Sequence, residues 1–434
     1  MELNKKVVLS SRSVLKVVSN VEFMLLCLVV IANAWPELRV SWRGFEIDFI
    51  NEQGSVFGVA GYPRLVELLC IAFVAVHAIF VYREWKYVRV LPVAGLFLII
   101  ITAVRIYHGG GWDQLRSGFA IPILLFLALA SYKMTHGKFI LFVSLFITVS
   151  ILSGLIILFQ PLLVFELPIS PVYRGDVSVA FRYAGLGQGY AYQSAYLLIG
   201  LSLSLAMIFQ MENKFLRVLS AINIPIGLIA VIMAGARTGY VAAIVLIALS
   251  VWLNLKIGKM KLIPVILAII MTIVILQFSD IAGSAMETLL WRSNIEDSRI
   301  DSWVPAINVA TEWPIIGVPD YFTAAESLGL NPPAHEQNGF LGIIIFAGVP
   351  ALIVYVAFWR GIIKYTNFLR KYRYSVECAM WHALIYSISV YVVFLMTELV
   401  NTSVQVQLQM FILSGLVYCI GRSVRFNYEL WHRT

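Results

Sequence analysis

Long apolar runs alternate with short polar joints along almost the whole chain, and this pattern predicts about twelve membrane-spanning helices. The runs fall near 17–34, 65–82, 90–107, 117–132, 139–159, 191–210, 217–235, 239–255, 262–278, 339–358, 378–399 and 405–421. Each is of a length to cross a hydrocarbon core of roughly 30 Å as a helix, and an isolated strand could not satisfy its backbone in lipid. One stretch breaks the rhythm, a polar insertion at 279–338 between the ninth and tenth runs. Inside it Ile300, Trp303, Val304, Ile307 and Ala310 recur at helical spacing, which predicts a short amphipathic helix lying along the membrane surface and starting at about Asp301 or Ser302, where Pro305 is tolerated near its start. Pro314, Gly317 and Pro319 end that helix, and Tyr321 to Leu328 form a further turn or two. Pro332 and Pro333 then redirect the chain into the next span, which places His335 and Asn338 one helical turn apart on a shared face at the mouth of the membrane.

Composition excludes a soluble domain. The 434 residues are 60% hydrophobic and only 13% charged, against about 25% charged in soluble globular proteins. The fold class expected is therefore all-α, a polytopic integral membrane protein of about twelve helices. Cations fix the orientation. Lys5, Lys6, Arg12, Lys16, Arg83, Lys86, Arg89, Lys133, Lys138, Lys214, Arg217, Lys256, Arg360, Arg370, Arg422 and Arg433 gather at the N-terminus, the C-terminus and every second joint, whereas Glu46, Asp48, Asp176, Asp280, Glu296, Asp301, Glu312, Asp320 and Glu326 occupy the others. Positive-inside bias puts both termini in the cytoplasm and the insertion outside. The net charge of +8 thus reports topology and anionic lipid at the inner leaflet, and calls for no nucleic acid. Cys27, Cys70, Cys378 and Cys419 lie in or beside apolar runs, so no disulfide is expected. The first run reads as a retained span, with no cleavage site after it. Without a repeat or low-complexity linker, residues 1–434 read as one integral domain carrying the 279–338 insertion.

Three outward segments carry candidate chemistry. The first runs from Arg174 to Tyr190 and joins Arg174 and Arg182 to a Gly- and Tyr-rich stretch that includes Tyr183 and Gly185. Glycines let backbone N–H groups approach an anion or a sugar, and tyrosines stack on sugar rings. The alternative is a loop whose arginines snorkel at the interface. The second is Ala234-Gly235-Ala236-Arg237-Thr238-Gly239, a tight turn that holds a guanidinium at or below the interface, where charge is costly and usually paired or functional. Its alternative is an anchor for headgroup phosphate. The third is the insertion, with Arg299, Trp303, His335, Glu336 and Asn338. A headgroup-level histidine with no chemistry remains the other reading of His335. No nucleotide site and no metal-ligand cluster is apparent.

Taken in order, Arg182-x2-Gly185, then Arg237-Thr238-Gly239, then Arg299-x3-Trp303, then Trp313-Pro314-x-x-Gly317, then Asn338-x-Phe340-Leu341 with Gly348 ten residues after Asn338, the residues resemble the O-antigen ligase and polymerase superfamily of bacterial membrane glycosyltransferases. The likeness spans roughly 180 to 350. Ala236 stands where the family often carries serine. Gln337 stands where the ligase pattern has a histidine adjacent to the asparagine, which favours a polymerase, as does the Arg174-x10-Gly185 spacing.

The resemblance implies metal-independent inverting glycosyl transfer without a cofactor, on the periplasmic face of the bacterial inner membrane, from an undecaprenyl-diphosphate-linked glycan. A polymerase moves the growing chain onto the next lipid-linked repeat, and a ligase moves it onto lipid A-core. Membrane lipid, a chain-length regulator and a flippase are the other partners implied. In this reading Arg237 and Arg299 clamp the diphosphate, His335 or Glu336 serves the acceptor hydroxyl as base, and Arg174, Arg182, Tyr183, Trp303 and Asn338 bind substrate. The competing class is a flippase or transporter, against which stand the missing repeat symmetry and the single oversized loop.

Overall fold

The computed structural model describes residues 2–36, 39–40, 47–48, 64–110, 114–162, 169–174, 177–210, 213–256, 298–332, 338–372, 375–398 and 403–426. The chain is an all-α polytopic membrane protein. Its helices are α1 (Glu2–Ala32), α2 (Leu65–Val81), α3 (Leu91–His108), α4 (Ile121–Ser131), α5 (His136–Phe159), α6 (Tyr190–Gln210), α7 (Lys214–Ala234), α8 (Arg237–Lys256), α9 (Ser298–Glu312), α10 (Tyr321–Ser327), α11 (Gly339–Thr366), α12 (Val376–Thr397) and α13 (Val404–Phe426). Two antiparallel hairpins accompany them, β1 (Arg39–Val40) with β2 (Ile47–Asp48), and β3 (Ile169–Arg174) with β4 (Val177–Tyr183). Among the described residues eight helices are long and apolar enough to cross a membrane, and shorter apolar helices cover Val17–Ala32, Leu65–Phe80 and Gly118–Ser131. The expected span at 262–278 and the insertion before Ser298 lie outside the described residues.

Polar side chains mark the helix starts. Thr135, Asn213 and Ser375 cap α5, α7 and α12, each accepting a hydrogen bond from the backbone N–H three residues on. Helices α6 and α13 form the centre, with Leu197, Leu198, Leu203, Leu408, Phe411 and Val417 buried. Helix α6 packs on α7 and α12, and α13 on α4. Outer helices keep large apolar side chains exposed, such as Leu96 and Ile99 on α3, as a helix facing lipid requires.

The joints sort to two ends. At one, Glu84 accepts from Lys133 Nζ at 2.8 Å and Arg422 Nη1 at 3.0 Å, while Arg422 Nη2 donates to the Ser131 and Tyr132 carbonyls. Burial alone would raise the Glu84 carboxyl, but the two cations outweigh it and hold it below its usual range. This is the basic end. At the other, Asn33 Nδ2 donates to the Gln405 carbonyl at 3.0 Å, Gln405 Nε2 to Gln193 Oε1 at 2.9 Å, and Ser403 Oγ to Gln188 Oε1 at 2.7 Å. These bonds close the end of α1 and the starts of α6 and α13 into one polar mouth.

The insertion is anchored to a break in α11. Gly348 is non-helical there (φ 82°, ψ 170°), and Pro350 has no N–H to offer the Phe346 carbonyl four residues earlier. The freed groups find partners elsewhere. Val318 N donates to the Ile345 carbonyl at 2.8 Å, and Val349 N donates to the Pro314 carbonyl at 2.7 Å. Arg105 on α3 donates through Nη2 to the Phe346 carbonyl and, at 3.1 Å, to the Val318 carbonyl. His108 Nε2 donates to the Ile316 carbonyl at 3.0 Å, which fixes its tautomer, since a carbonyl only accepts. The 314–318 turn is thus stitched to α11 and gripped by the end of α3.

Two expectations about the insertion need correcting. Helix α9 begins at Ser298, before Asp301, so Pro305 lies inside it rather than in its first turn. Its buried face is Ser302, Ala306, Val309 and Ala310, whereas Val304 and Ile307 are exposed. The small residues let α9 pack closely with Val318, Tyr321, Ala325 and Ile345 in a second core. The branched side chains that formed the sequence pattern point away from it.

Candidate active site

The 234–238 turn is built for close approach. Helix α7 ends at Ala234, Gly235 caps it, and α8 starts at Arg237. A Cβ on Gly235 would lie 2.8 Å from Arg182 Cγ, so the stem of Arg182 passes directly over the turn. Arg182 is 4% exposed, and its guanidinium sits 4.6 Å from the centre of the Tyr190 ring. Such a stack offsets part of the desolvation of a buried cation. Arg237 is half-buried, with Nε and one Nη enclosed by protein. Two of the candidate arginines therefore stand at one turn, although 55 residues separate them in the chain.

A carboxylate joins them. Thr238, next to Arg237, donates from Oγ1 to Glu398 Oε1 at 3.4 Å, and Thr397 Oγ1 donates to Thr238 Oγ1 at 3.0 Å. Glu398 is the extended residue that ends α12. Sequence reading missed it. The available signal was an acid closing an apolar run opposite the basic joints. Arg105 was missed as well, although a cation within Leu-Ile-Ile-Ile-Thr-Ala-Val-Arg-Ile is a departure of the same kind.

Asn338 reaches the same mouth in a structural capacity. It is extended (φ −150°, ψ 115°) and caps α11, with Oδ1 accepting from Phe340 N and Leu341 N, both at 3.0 Å. Its Nδ2 donates to the Met396 carbonyl at 3.0 Å, two residues before Glu398. Asn338 therefore precedes the helix as its cap, and the expected one-turn relation with His335 lies outside the described residues. His335 and Glu336 lie outside the described residues.

The other candidates are placed by their elements. Arg299 falls in the first turn of α9, and Arg174 in β3 opposite Val177. Tyr183 pairs with Ile169 across the hairpin and packs partly against the main core, where burial pushes its phenol up. Trp303 is half-buried on α9 with its indole nitrogen enclosed. Among the described residues no group of His, Cys, Asp and Glu could hold a metal ion.

Residues 222–356 match the family model described as O-antigen ligase. The match supports the O-antigen ligase and polymerase superfamily resemblance read from the motifs. It includes Arg237, Arg299, Trp303, His335, Glu336 and Asn338, together with the broken α11 and the turn docked on it. Arg174, Arg182, Tyr183, Arg105 and Glu398 lie outside it. No curated protein matches the chain.

Proposed function

We propose that the protein is an O-antigen polymerase, which joins undecaprenyl-diphosphate-linked repeat units by metal-independent inverting transfer on the outer side of the inner membrane. The observation that carries the reading is the convergence of Arg182, Arg237 and Glu398 on one mouth of an apolar bundle, within or beside the stretch that matches the ligase family. A lipid diphosphate leaving group needs planar cations, because a guanidinium binds two of its oxygens at once and offsets charge as the glycosidic bond breaks. Arg237 takes that role, joined by Arg299 from the insertion. Arg174, Arg182, Tyr183 and Trp303 contribute to the glycan and headgroup subsites, and His335 and Glu336 are candidates to serve the acceptor.

Gln337, at the position of the ligase histidine, favours polymerase over ligase. The ligase reading, transfer to lipid A-core, is favoured instead by the description of the matched family. One reconstitution tests both. Purified protein in vesicles, given lipid-linked repeats and no ion gradient, makes a glycan ladder if it is a polymerase. Product that forms only with lipid A-core marks a ligase, and translocation without transfer marks a carrier.

Substituting the arginines tests the clamp. Arg237→Lys and Arg299→Lys each keep the charge and lose the paired geometry. Each is expected to cost about 2 to 4 kcal/mol of transition-state stabilisation, roughly thirty- to a thousand-fold in rate. Wild-type rates in both variants, at matched protein levels, would defeat the diphosphate clamp. In the same assay a large loss in His335→Ala would make that side chain a candidate base, and near-normal polymer would shift the role to Glu336 or to another group.

A further inference from the structure

We infer that Glu398 is the general base of the transfer, the group that takes the proton from the acceptor hydroxyl. The inference rests on the proposed glycosyl transfer and assigns a role to a residue outside both the motif set and the matched stretch.

Three helix ends meet around residues 396–398. The start of α8 brings Thr238, whose hydroxyl donates to Glu398 Oε1 at 3.4 Å, and with it the adjacent Arg237. The end of α12 brings Glu398 itself and Thr397, which orients the Thr238 hydroxyl. The start of α11 is tied in by Asn338, whose amide holds the Met396 carbonyl. Arg237 and Glu398 therefore belong to the same mouth, joined through Thr238. Glu398 is half-buried at this mouth. Its backbone is extended at the helix end, and the Thr238 hydroxyl reaches one of its oxygens.

This arrangement suits an inverting displacement. The donor diphosphate sits on the guanidinium, and the attacking hydroxyl must lose a proton as it approaches the anomeric carbon from the opposite face. Glu398 accepts that proton, the acceptor oxygen forms its bond to the anomeric carbon, and the bond from that carbon to the diphosphate oxygen breaks. The electron pair leaves with undecaprenyl diphosphate. Charge and atoms balance without a metal or a further reactant. Positioned proton transfer of this kind is worth about 10²- to 10⁴-fold in rate.

Azide separates a base from a residue that only shapes the site, because azide is an anion and attacks the anomeric carbon with no proton to remove. Glu398→Gln and Glu398→Ala are assayed in vesicles with lipid-linked donor, once with the natural lipid-linked acceptor and once with sodium azide. Gln keeps the size and can still accept from Thr238, so it guards against a folding defect. Both variants are expected to lose polymer by about 10²- to 10⁴-fold, yet to release glycosyl azide of inverted configuration at a rate comparable with the unmodified protein. Polymer at the normal rate in either variant overturns the assignment. Loss of both reactions overturns it too, in favour of a binding or positioning role. If the unmodified protein transfers glycan to neither acceptor, the proposed function fails, and this inference fails with it. Loss in Arg237→Lys with normal rates in Glu398→Gln leaves the transferase standing and removes only the base.

Discussion

Asn338 shows how one side chain can serve architecture at a functional mouth. Its carboxamide oxygen satisfies two of the N–H groups left open at the start of α11, and its nitrogen reaches the Met396 carbonyl on α12. The motif asparagine thus ties the start of α11 to the end of α12, two residues before Glu398. Asn338→Ala should remove about 1 to 2 kcal/mol of stability through loss of the cap. Asn338→Asp keeps the capping oxygen and should melt close to wild type in detergent, although it loses the Met396 contact. If Asn338→Ala melts normally and only glycan transfer falls, Asn338 binds substrate after all.

Elements explain why motif residues without reactive side chains recur in the resemblance. Gly317 (φ 62°) and Gly348 (φ 82°) face one another across the joint between the insertion and α11. A Cβ on Gly348 would overlap the Ile315 carbonyl, and one on Gly317 would overlap the Ile345 carbonyl and lie 2.9 Å from Ala347 N. Both positions need a left-handed backbone and an empty space, and only glycine supplies both. Gly317→Ala or Gly348→Ala should therefore cost more than the roughly 1 to 2 kcal/mol of left-handed strain alone, and should undock the turn from α11. Increased protease cleavage within 313–332 would report the undocking; unchanged resistance in both variants would contradict it. Hydropathy made the spans legible, since lipid tolerates little else, and Pro314, Gly317 and Pro319 marked the end of α9 correctly. The packing face of α9 was not legible. Close helix approach is made with Ala306, Val309 and Ala310, while the larger Val304 and Ile307 dominated the apolar pattern. Arg182 and Arg237 were legible as costly charges, yet their meeting at Gly235 depends on how α6, α7 and β4 pack, which no local spacing encodes.

At the scale of the whole molecule the two ends differ in kind. The basic end is held by ion pairs among Glu84, Lys133 and Arg422, and the motif end by neutral amides and hydroxyls around Gln188, Gln193, Ser403 and Gln405. The cations paired at one end, Lys133 and Arg422, are among those that positive-inside bias would keep in the cytoplasm. A reporter fused near Ala324, between α9 and α11, should then respond from outside, and one near Tyr372, between α11 and α12, from the cytoplasm. A single helix, α11, separates the two sites, so they must report opposite sides if it spans the membrane. Cysteine labelling with a membrane-impermeant reagent checks the same point without a fusion. Ser327→Cys, at an exposed position, should label in intact cells, and Lys371→Cys only after permeabilisation. A lipid-linked glycan presented outside can meet Arg237 and Glu398 only in this orientation. Labelling of Ser327→Cys solely after permeabilisation would therefore reverse the topology and remove the polymerase and ligase readings together.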